Sequence, residues 1–291
     1  MPKRNVMKES EENIKEGLVQ IDLRRILRER VPASARKWIP GMFAGALERL
    51  IHQEELNAVL REAYPAEGWR FSEASLKHFN IALEVEGEEN IPDAGRWVFA
   101  GNHPLGGLDG ISLIKVLGER YGDSNVRFLV NDMLMNVVPL RNVFLPVNKY
   151  GSQGRGAASA VDAAYRSDAQ IVVFPAGLVS RKGDDGSIRD LRWHKMFAGK
   201  ALESGRGIVP VYFDGLNSPR FYNIARWRGK LGIKVNLEQA LLPSEVCRSR
   251  GKRFRIVFGK PMDFEALSAL RLAPAGIAAM IREKVYSLAE R

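Results

Sequence analysis

From Leu83 to the end of the chain, short β-prone runs alternate with runs that have helical spacing, and this alternation constrains the fold more than any other feature. The candidate strands are Leu83–Glu86, Trp97–Ala100, Arg127–Val130, Val143–Val147, Ile171–Phe174, Ile208–Phe213, Ile233–Asn236 and Arg255–Phe258. Helices are predicted at Gly110–Tyr121, Gly156–Arg166, His194–Ser204 and Pro274–Leu288. Strands that alternate with helices favour a sheet flanked by helices. We therefore expect an α/β fold with a mixed, largely parallel sheet.

The first 80 residues have a different pattern, which is typical of helices. Leu23, Ile26 and Leu27 share one helical face among several arginines, and a second apolar face begins at Met42. A basic amphipathic segment of this kind can lie on an anionic membrane surface, or it can pack as a helical layer on the main domain. The sequence leaves both interpretations open. We expect an N-terminal helical extension over residues 1–80 and a main domain over residues 81–291.

Charge and cysteine content narrow the class of protein. The chain has 44 Lys and Arg residues and 34 Asp and Glu residues, so its net charge is +10. A positive charge of this size suits an anionic partner, which is nucleic acid, an acidic membrane, an acidic carrier protein or a phosphorylated ligand. The single cysteine, Cys247, excludes an internal disulfide and a cysteine metal cluster. No run approaches the roughly 20 apolar residues of a membrane span, and the N-terminus lacks the apolar core of a signal peptide. We expect a cytoplasmic protein, free or membrane-associated.

The stretch Trp97–Gly110 contains the candidate site, because it is a predicted strand followed by a glycine-rich loop with one histidine and one aspartate. The imidazole of His103 can accept a proton from a hydroxyl near neutral pH, and the carboxylate of Asp109 can fix its tautomer. Gly106 and Gly107 permit positive φ, so the loop can fold Asp109 back onto His103. A structural interpretation fits the same residues: His103 ends the strand and Asp109 is the N-cap of the next helix.

Four stretches then carry a resemblance to a known family. Asn102–Asp109 (NHPLGGLD), Asn142–Lys149 (NVFLPVNK), Phe174–Arg181 (FPAGLVSR) and Ile208–Val211 (IVPV) occur in that order. They resemble the four motifs of the glycerolipid acyltransferases, the lysophosphatidic acid acyltransferase-like (PlsC-type) superfamily, over about residues 80 to 260. The resemblance extends in particular to the "glycerol acyltransferase" branch of Bacteroidetes-type bacteria.

The resemblance implies that a hydroxyl attacks an acyl thioester, with His103 as general base and Asp109 holding its imidazole. It implies acyl-carrier-protein or acyl-CoA as donor, a lysolipid acceptor, an anionic membrane surface on the inner face of the cytoplasmic membrane, and no nucleic acid. The reaction would need no metal and no cofactor besides the thioester co-substrate. The implied substrate-binding residues are Asn102, Gly106, Gly107, Asn148, Lys149, Phe174, Pro175, Gly177, Ser180, Arg181 and Lys182.

The chain departs from the family pattern in three places, and all three bear on the acceptor. Five residues separate His103 from Asp109, where the family usually has four. Asn148 stands where the family has an arginine, and Ala176 stands where it has a glutamate. A lysine beside Asn148 meets phosphate as a point charge without the bidentate fork of arginine. We therefore keep two acceptors open, a lysophosphatidic acid and a lyso-aminolipid with a free hydroxyl.

Two other classes of function compete with acyl transfer. A nucleotide-binding α/β enzyme would use the glycines of 101–110 to hold phosphate, but the loop has neither the P-loop Gly-Lys-Ser/Thr ending nor Gly-x-Gly-x-x-Gly. A non-catalytic lipid- or anion-binding protein stays open from the sequence. Cys247 has no histidine near it in the sequence, so no thioacyl intermediate is expected.

Overall fold

The computed structural model describes residue 45 and residues 48–147, 155–231 and 237–290. Several sequence predictions therefore lie outside the described residues. They are the amphipathic segments of residues 1–44, the site residues Asn148 and Lys149, and the strand Ile233–Asn236.

One large sheet forms the centre of the molecule. Its strands are β1 (Ala82–Glu86), β2 (Trp97–Gly101), β3 (Val126–Asn131), β4 (Phe144–Val147), β5 (Gln170–Val173), β8 (Gly207–Asp214) and β9 (Arg253–Phe258); β6 (Arg181–Lys182) and β7 (Ile188–Arg189) form a separate hairpin. The order across the sheet is β1-β9-β8-β2-β5-β3-β4. Strands β8, β2, β5, β3 and β4 are mutually parallel, and β9 pairs with β8 in the antiparallel sense. The prediction of a mixed, largely parallel sheet is confirmed.

Nine α-helices have both of their ends among the described residues. They are α1 (Gln53–Ala63), α2 (Gly68–His78), α3 (Gly107–Tyr121), α4 (Arg155–Arg166), α5 (Met196–Ser204), α6 (Pro219–Lys230), α7 (Leu242–Arg248), α8 (Phe264–Ala269) and α9 (Pro274–Ser287). None of the described helices has the length and apolar content needed to cross a bilayer.

The central strands are buried on both faces, which explains their continuous apolar sequence. Val98, Phe99 and Ala100 of β2 have no exposed surface. A parallel strand that is covered by helices on both sides has an unbroken run of apolar residues, rather than alternating apolar and polar residues. Phe99 belongs to one core cluster, whereas Val98 and Ala100 belong to a second one. The alternate side chains of β2 therefore lie in the two helix–sheet layers.

Helices α1 and α2 share a core with the sheet. Val59 and Leu60 of α1 and Phe71 of α2 belong to the same cluster as Phe99 and Leu117. Within the described part of the chain, packing on the main domain is thus the role of these two helices. The division of the chain at residue 80 stays a prediction.

Three helices and the hairpin were not predicted from the sequence. Helices α7 and α8 are only 7 and 6 residues long, too short to show a clear apolar period. Helix α6 has four basic residues (Arg220, Arg226, Arg228 and Lys230) interspersed with its apolar ones, so its buried face is not evident from the sequence. The hairpin β6–β7 turns at Asp184–Gly186.

Candidate active site

The candidate site lies where β2 ends, beside the end of β8. Asn102 follows β2 directly, and its side chain holds the two strands together. Its Nδ2 donates to the carbonyl of Phe213 at 2.9 Å, and the N–H of Phe213 donates to its Oδ1 at 2.7 Å. Both ends of this predicted substrate-binding amide are therefore bound to the backbone of β8.

His103 and Asp109 are in contact. Nδ1 of His103 lies 2.9 Å from Oδ2 of Asp109; the histidine side chain is 19% exposed and the carboxylate is fully buried. The same Oδ2 accepts hydrogen bonds from the N–H groups of Leu105 at 2.9 Å and Gly106 at 3.0 Å. Burial raises the pKa of the Asp109 carboxyl, whereas the hydrogen bonds from His103 and the two amides oppose that rise. The arrangement holds a carboxylate oxygen against Nδ1, one of the two ring nitrogens of His103.

The loop returns Asp109 to His103 because of Gly106. Its φ is +78° and its ψ is −111°, a backbone conformation that residues other than glycine rarely adopt. A Cβ at this position would also lie 3.1 Å from Leu242 and 3.3 Å from Val179. Gly107, by contrast, begins α3, which therefore starts three residues before the predicted Gly110 and places Asp109 in its first turn. Only one of the two glycines supplies the positive φ that the sequence suggested.

The third motif packs beside His103 through the ring of Phe174. Phe174 follows β5, and its ring stacks on the imidazole of His103 with centroids 4.2 Å apart and planes 19° apart. The carbonyl of Pro175 accepts a hydrogen bond from the N–H of His194 at 3.0 Å. Gly177 has φ +63° and closes a turn in which its N–H donates to the carbonyl of Phe174 at 2.9 Å. Ala176, at the family's glutamate position, is buried.

Asp190, which belongs to none of the sequence motifs, connects the first and third motifs. Its Oδ1 accepts hydrogen bonds from the N–H of His103 at 3.2 Å and from Oγ of Ser180 at 2.6 Å, and its Oδ2 accepts one from Nε1 of Trp193 at 2.9 Å. The N–H of Ser180 donates in turn to the carbonyl of His103 at 2.9 Å. Ser180, a predicted substrate-binding residue, is therefore engaged in positioning the backbone of His103. No local pattern marks Asp190, because its donors are up to 87 residues away.

Asp190→Ala should lower both stability and turnover, because it leaves three donors without their buried acceptor. We expect the free energy of unfolding to fall by about 2–4 kcal/mol. Urea denaturation measures the stability change, and acyl transfer by the folded enzyme measures the effect on His103. Glu73→Ala, at an exposed carboxylate in α2, is the control and should leave both unchanged. Wild-type stability and turnover in the Asp190 variant would contradict a positioning role for this carboxylate.

Arg181 and Lys182 lie in β6, at one side of a cationic groove of about 220 Å³. Its lining residues are Leu178, Arg181, Lys182, Leu191, Tyr222, Ala225, Arg226 and Arg228. The buried carboxylate of Glu238 pairs with Arg181 at 2.7 Å and with Arg228 at 2.9 Å. Glu238 thus fixes two of the four cations, while Lys182 and Arg226 are exposed. No sequence motif marks Glu238, because its partner Arg181 is 57 residues away along the chain.

Cys247 has no histidine near it in the sequence, but His52 lies close to it in the folded chain. A ring nitrogen of His52, a carboxylate oxygen of Glu55 and the sulfur of Cys247 lie within 4.8 Å of one another. Glu55 is also hydrogen-bonded to Arg250. Burial, followed by the neighbouring Glu55, raises the pKa of the Cys247 thiol to about 12. A thiol with such a pKa stays protonated at neutral pH and is a poor nucleophile. This environment agrees with the expectation that Cys247 forms no thioacyl intermediate.

Comparison with known proteins gives the same family as the motifs. A family model described as "Acyltransferase" matches residues 25–290. A protein named "Lyso-glycine lipid O-acyltransferase" from Bacteroides thetaiotaomicron is 40% identical over 273 residues, covering 94% of this chain and 99% of that protein. A protein of the same name from Phocaeicola vulgatus is 39% identical over 285 residues, covering 98% and 99%.

A solved structure, the 1-acyl-sn-glycerophosphate (LPA) acyltransferase PlsC from Thermotoga maritima, matches with a TM-score of 0.43 and 15% identity. The match covers 84% of this chain and 92% of that chain. The family match and the two relatives, together with the four motifs, give one conclusion. The chain is an enzyme of the acyltransferase family, within the glycerolipid acyltransferase superfamily.

Proposed function

We propose that this enzyme transfers a fatty acyl group from an acyl thioester to a hydroxyl of a lyso-glycine lipid. The observation that carries the proposal is the 40% identity to a lyso-glycine lipid O-acyltransferase over 99% of that protein's length. This acceptor belongs to the lyso-aminolipid class that the departures in the second and third motifs suggested. The reaction takes place at the cytoplasmic face of the membrane, to which a chain of net charge +10 is attracted.

In the proposed mechanism, His103 is the general base and Asp109 orients it. The contact with Asp109 keeps the proton on Nδ1, so Nε2 is free to accept the proton of the acceptor hydroxyl. The hydroxyl oxygen attacks the thioester carbonyl and forms a tetrahedral intermediate. Its collapse breaks the C–S bond, and the departing thiolate takes the proton from His103. Asp109 stabilises the imidazolium that exists between these two steps.

The oxyanion of the intermediate needs hydrogen-bond donors, and three candidate amides already have acceptors. The N–H groups of Leu105 and Gly106 donate to Asp109, and that of Gly177 donates to the carbonyl of Phe174. These bonds support a role for the three amides in shaping the site. We assign the oxyanion to the first turn of α3, whose N–H groups at Gly107 and Leu108 have no intrahelical acceptor.

The cationic groove is the proposed site for the acceptor's headgroup. A glycine joined to a fatty acid through its nitrogen keeps a free carboxylate, which is an anion of the size that one or two basic side chains bind. Lys182 and Arg226 are exposed at the groove, and Arg181 follows Ser180, which is bonded to the backbone of His103. The donor is acyl-carrier-protein or acyl-CoA, since both are anionic and suit a basic enzyme.

The test is acyl transfer by the purified full-length protein. Labelled acyl-carrier-protein and acyl-CoA are offered in turn against lyso-glycine lipid, lysophosphatidic acid and lysophosphatidylethanolamine. We expect transfer to lyso-glycine lipid to exceed transfer to the two phosphate-containing acceptors. Preference for lysophosphatidic acid would overturn the proposed acceptor, and binding of lyso-glycine lipid without acyl transfer to it would overturn the proposed reaction.

Asp109→Asn should reduce turnover severely while keeping the fold. The amide has the same size and its oxygen can still accept from Leu105 and Gly106, but it carries no charge to stabilise the imidazolium. We expect kcat to fall by about 10²–10⁴-fold. Asp93→Asn, which neutralises a carboxylate that is 93% exposed, should leave kcat unchanged. A near-normal kcat in the Asp109 variant would mean that His103 needs no carboxylate.

A further inference from the structure

Helix α6 has an exposed face that no function so far explains. Among the large hydrophobic side chains of the described residues, the three most exposed are Leu231 at 69%, Trp227 at 66% and Leu216 at 57%. Trp227 is in α6, Leu231 follows its last residue, and Leu216 precedes its first turn. Exposed apolar side chains that cluster, rather than lie scattered singly, indicate an interaction surface.

The same face of α6 is basic. Arg220, Arg226 and Lys230 are all exposed, and Nζ of Lys230 lies 6.0 Å from the centroid of the Trp227 ring. A tryptophan and a leucine beside lysine and arginine are typical of a helix that lies in a bilayer interface, where the ring sits at headgroup level and the cations meet lipid phosphates.

The opposite face of α6 connects this surface to the active site. Phe221 and Tyr222 are buried against Val179 of the third motif. Tyr222 Oη accepts a hydrogen bond from the N–H of Asn217 at 3.1 Å, and Nδ2 of Asn217 donates to the carbonyl of Pro104, the residue after His103, at 3.0 Å. Arg226 lines the cationic groove and also lies on the exposed face.

We propose that α6 is the membrane-docking helix of this enzyme: Trp227, Leu231 and Leu216 insert into the interface of an anionic bilayer while Arg220 and Lys230 contact its headgroups. This places the groove at the membrane surface, so that the lysolipid enters it without crossing water. The inference rests on the proposed function insofar as the acceptor is a lipid. Charge complementarity selects the bilayer as the occupant, since an anionic lipid surface attracts each nearby lysine or arginine.

The first test measures vesicle binding by the full-length protein, without any enzymatic readout. Binding to vesicles of phosphatidylcholine with phosphatidylglycerol is compared for wild type and the double variant Trp227→Ser/Leu231→Ser. We expect the partition coefficient to fall about tenfold or more, because two apolar anchors are lost. The matched control is Leu270→Ser/Leu272→Ser, which removes two exposed leucines elsewhere and should leave binding unchanged.

A charge reversal tests the basic part of the face. Lys230→Glu should weaken binding to vesicles that contain phosphatidylglycerol by about tenfold, with little change on phosphatidylcholine alone. Lys260→Glu, at another exposed lysine, should have a smaller effect on the anionic vesicles. Equal losses for the two lysines would contradict a localised docking surface.

An acyl-transfer assay distinguishes an error in the docking surface from an error in the proposed function. The double variant should transfer acyl groups to detergent-dispersed acceptor as wild type does, but should be slower with acceptor embedded in vesicles. If wild type binds vesicles through α6 but acylates no acceptor, the docking surface stands and the proposed function fails. Wild-type vesicle binding by the double variant, together with a lower melting temperature, would show that the chain itself covers this face and would overturn the inference.

Discussion

His103→Ala should abolish acyl transfer and leave a folded protein. Removal of the imidazole eliminates the only base in contact with Asp109 among the described residues, and a positioned general base contributes about 10²–10⁴-fold to rate. The fold should survive, because the buried Asp109 carboxylate keeps its hydrogen bonds from the N–H groups of Leu105 and Gly106. The His103 side chain is partly exposed, and its ring stacks on that of Phe174. An aromatic stack of this kind is worth about 0.5–1.5 kcal/mol.

Single-turnover acyl transfer measures the effect, since it detects the chemical step without product release. His194→Ala is the matched control, because His194 is exposed and its described hydrogen bond is made by the backbone N–H. The control should keep normal turnover. If the His103 variant retained near-normal turnover, another group would have to activate the hydroxyl and the mechanism would be wrong.

Arg206→Met, just before β8, should be strongly destabilising. The Arg206 side chain is fully buried, and its guanidinium donates to the carbonyls of Tyr165 at 2.8 Å, Ala169 at 2.8 Å and Ala164 at 3.1 Å, with further bonds to Ser167 and Trp97. Two of these carbonyls belong to the last turn of α4, where helical partners are missing. Arg206 therefore caps α4 and joins it to the starts of β5 and β2.

Methionine fills a similar volume but removes the guanidinium donors, and of the two α4 carbonyls only that of Ala164 keeps described donors, from Ser167. We expect the free energy of unfolding to fall by about 3–5 kcal/mol, measured from urea titration. Arg206→Lys should be intermediate, since lysine has fewer donors. Arg166→Met, at an exposed arginine at the end of α4, should change stability little. Equal stability in the two methionine variants would contradict a capping role for Arg206.

The strands could be located from sequence because their signal is local. The predicted run Trp97–Ala100 became β2 with one added residue, and Ile208–Phe213 became β8 with one added at each end. Such runs are buried on both faces, so their composition alone marks them. Helix α6 could not be located, because it is basic on one face and rests on a short buried face of Phe221, Tyr222 and Ala225.

The pairing of His103 with Asp109 was also within reach of sequence, because only five residues and one positive-φ glycine separate the two side chains. The polar partners that are distant in sequence could not be predicted in this way. Asp190 bonds to the backbone of His103 from 87 residues away, and Glu238 pairs with Arg181 from 57 residues away. The sequence by itself determined the α/β class, most strands, the family and the local pair. Only the tertiary structure decided which distant carboxylates position the His103 loop and the groove. The partner of a buried charge depends on how the folded chain brings distant residues together, and not on their spacing in the sequence.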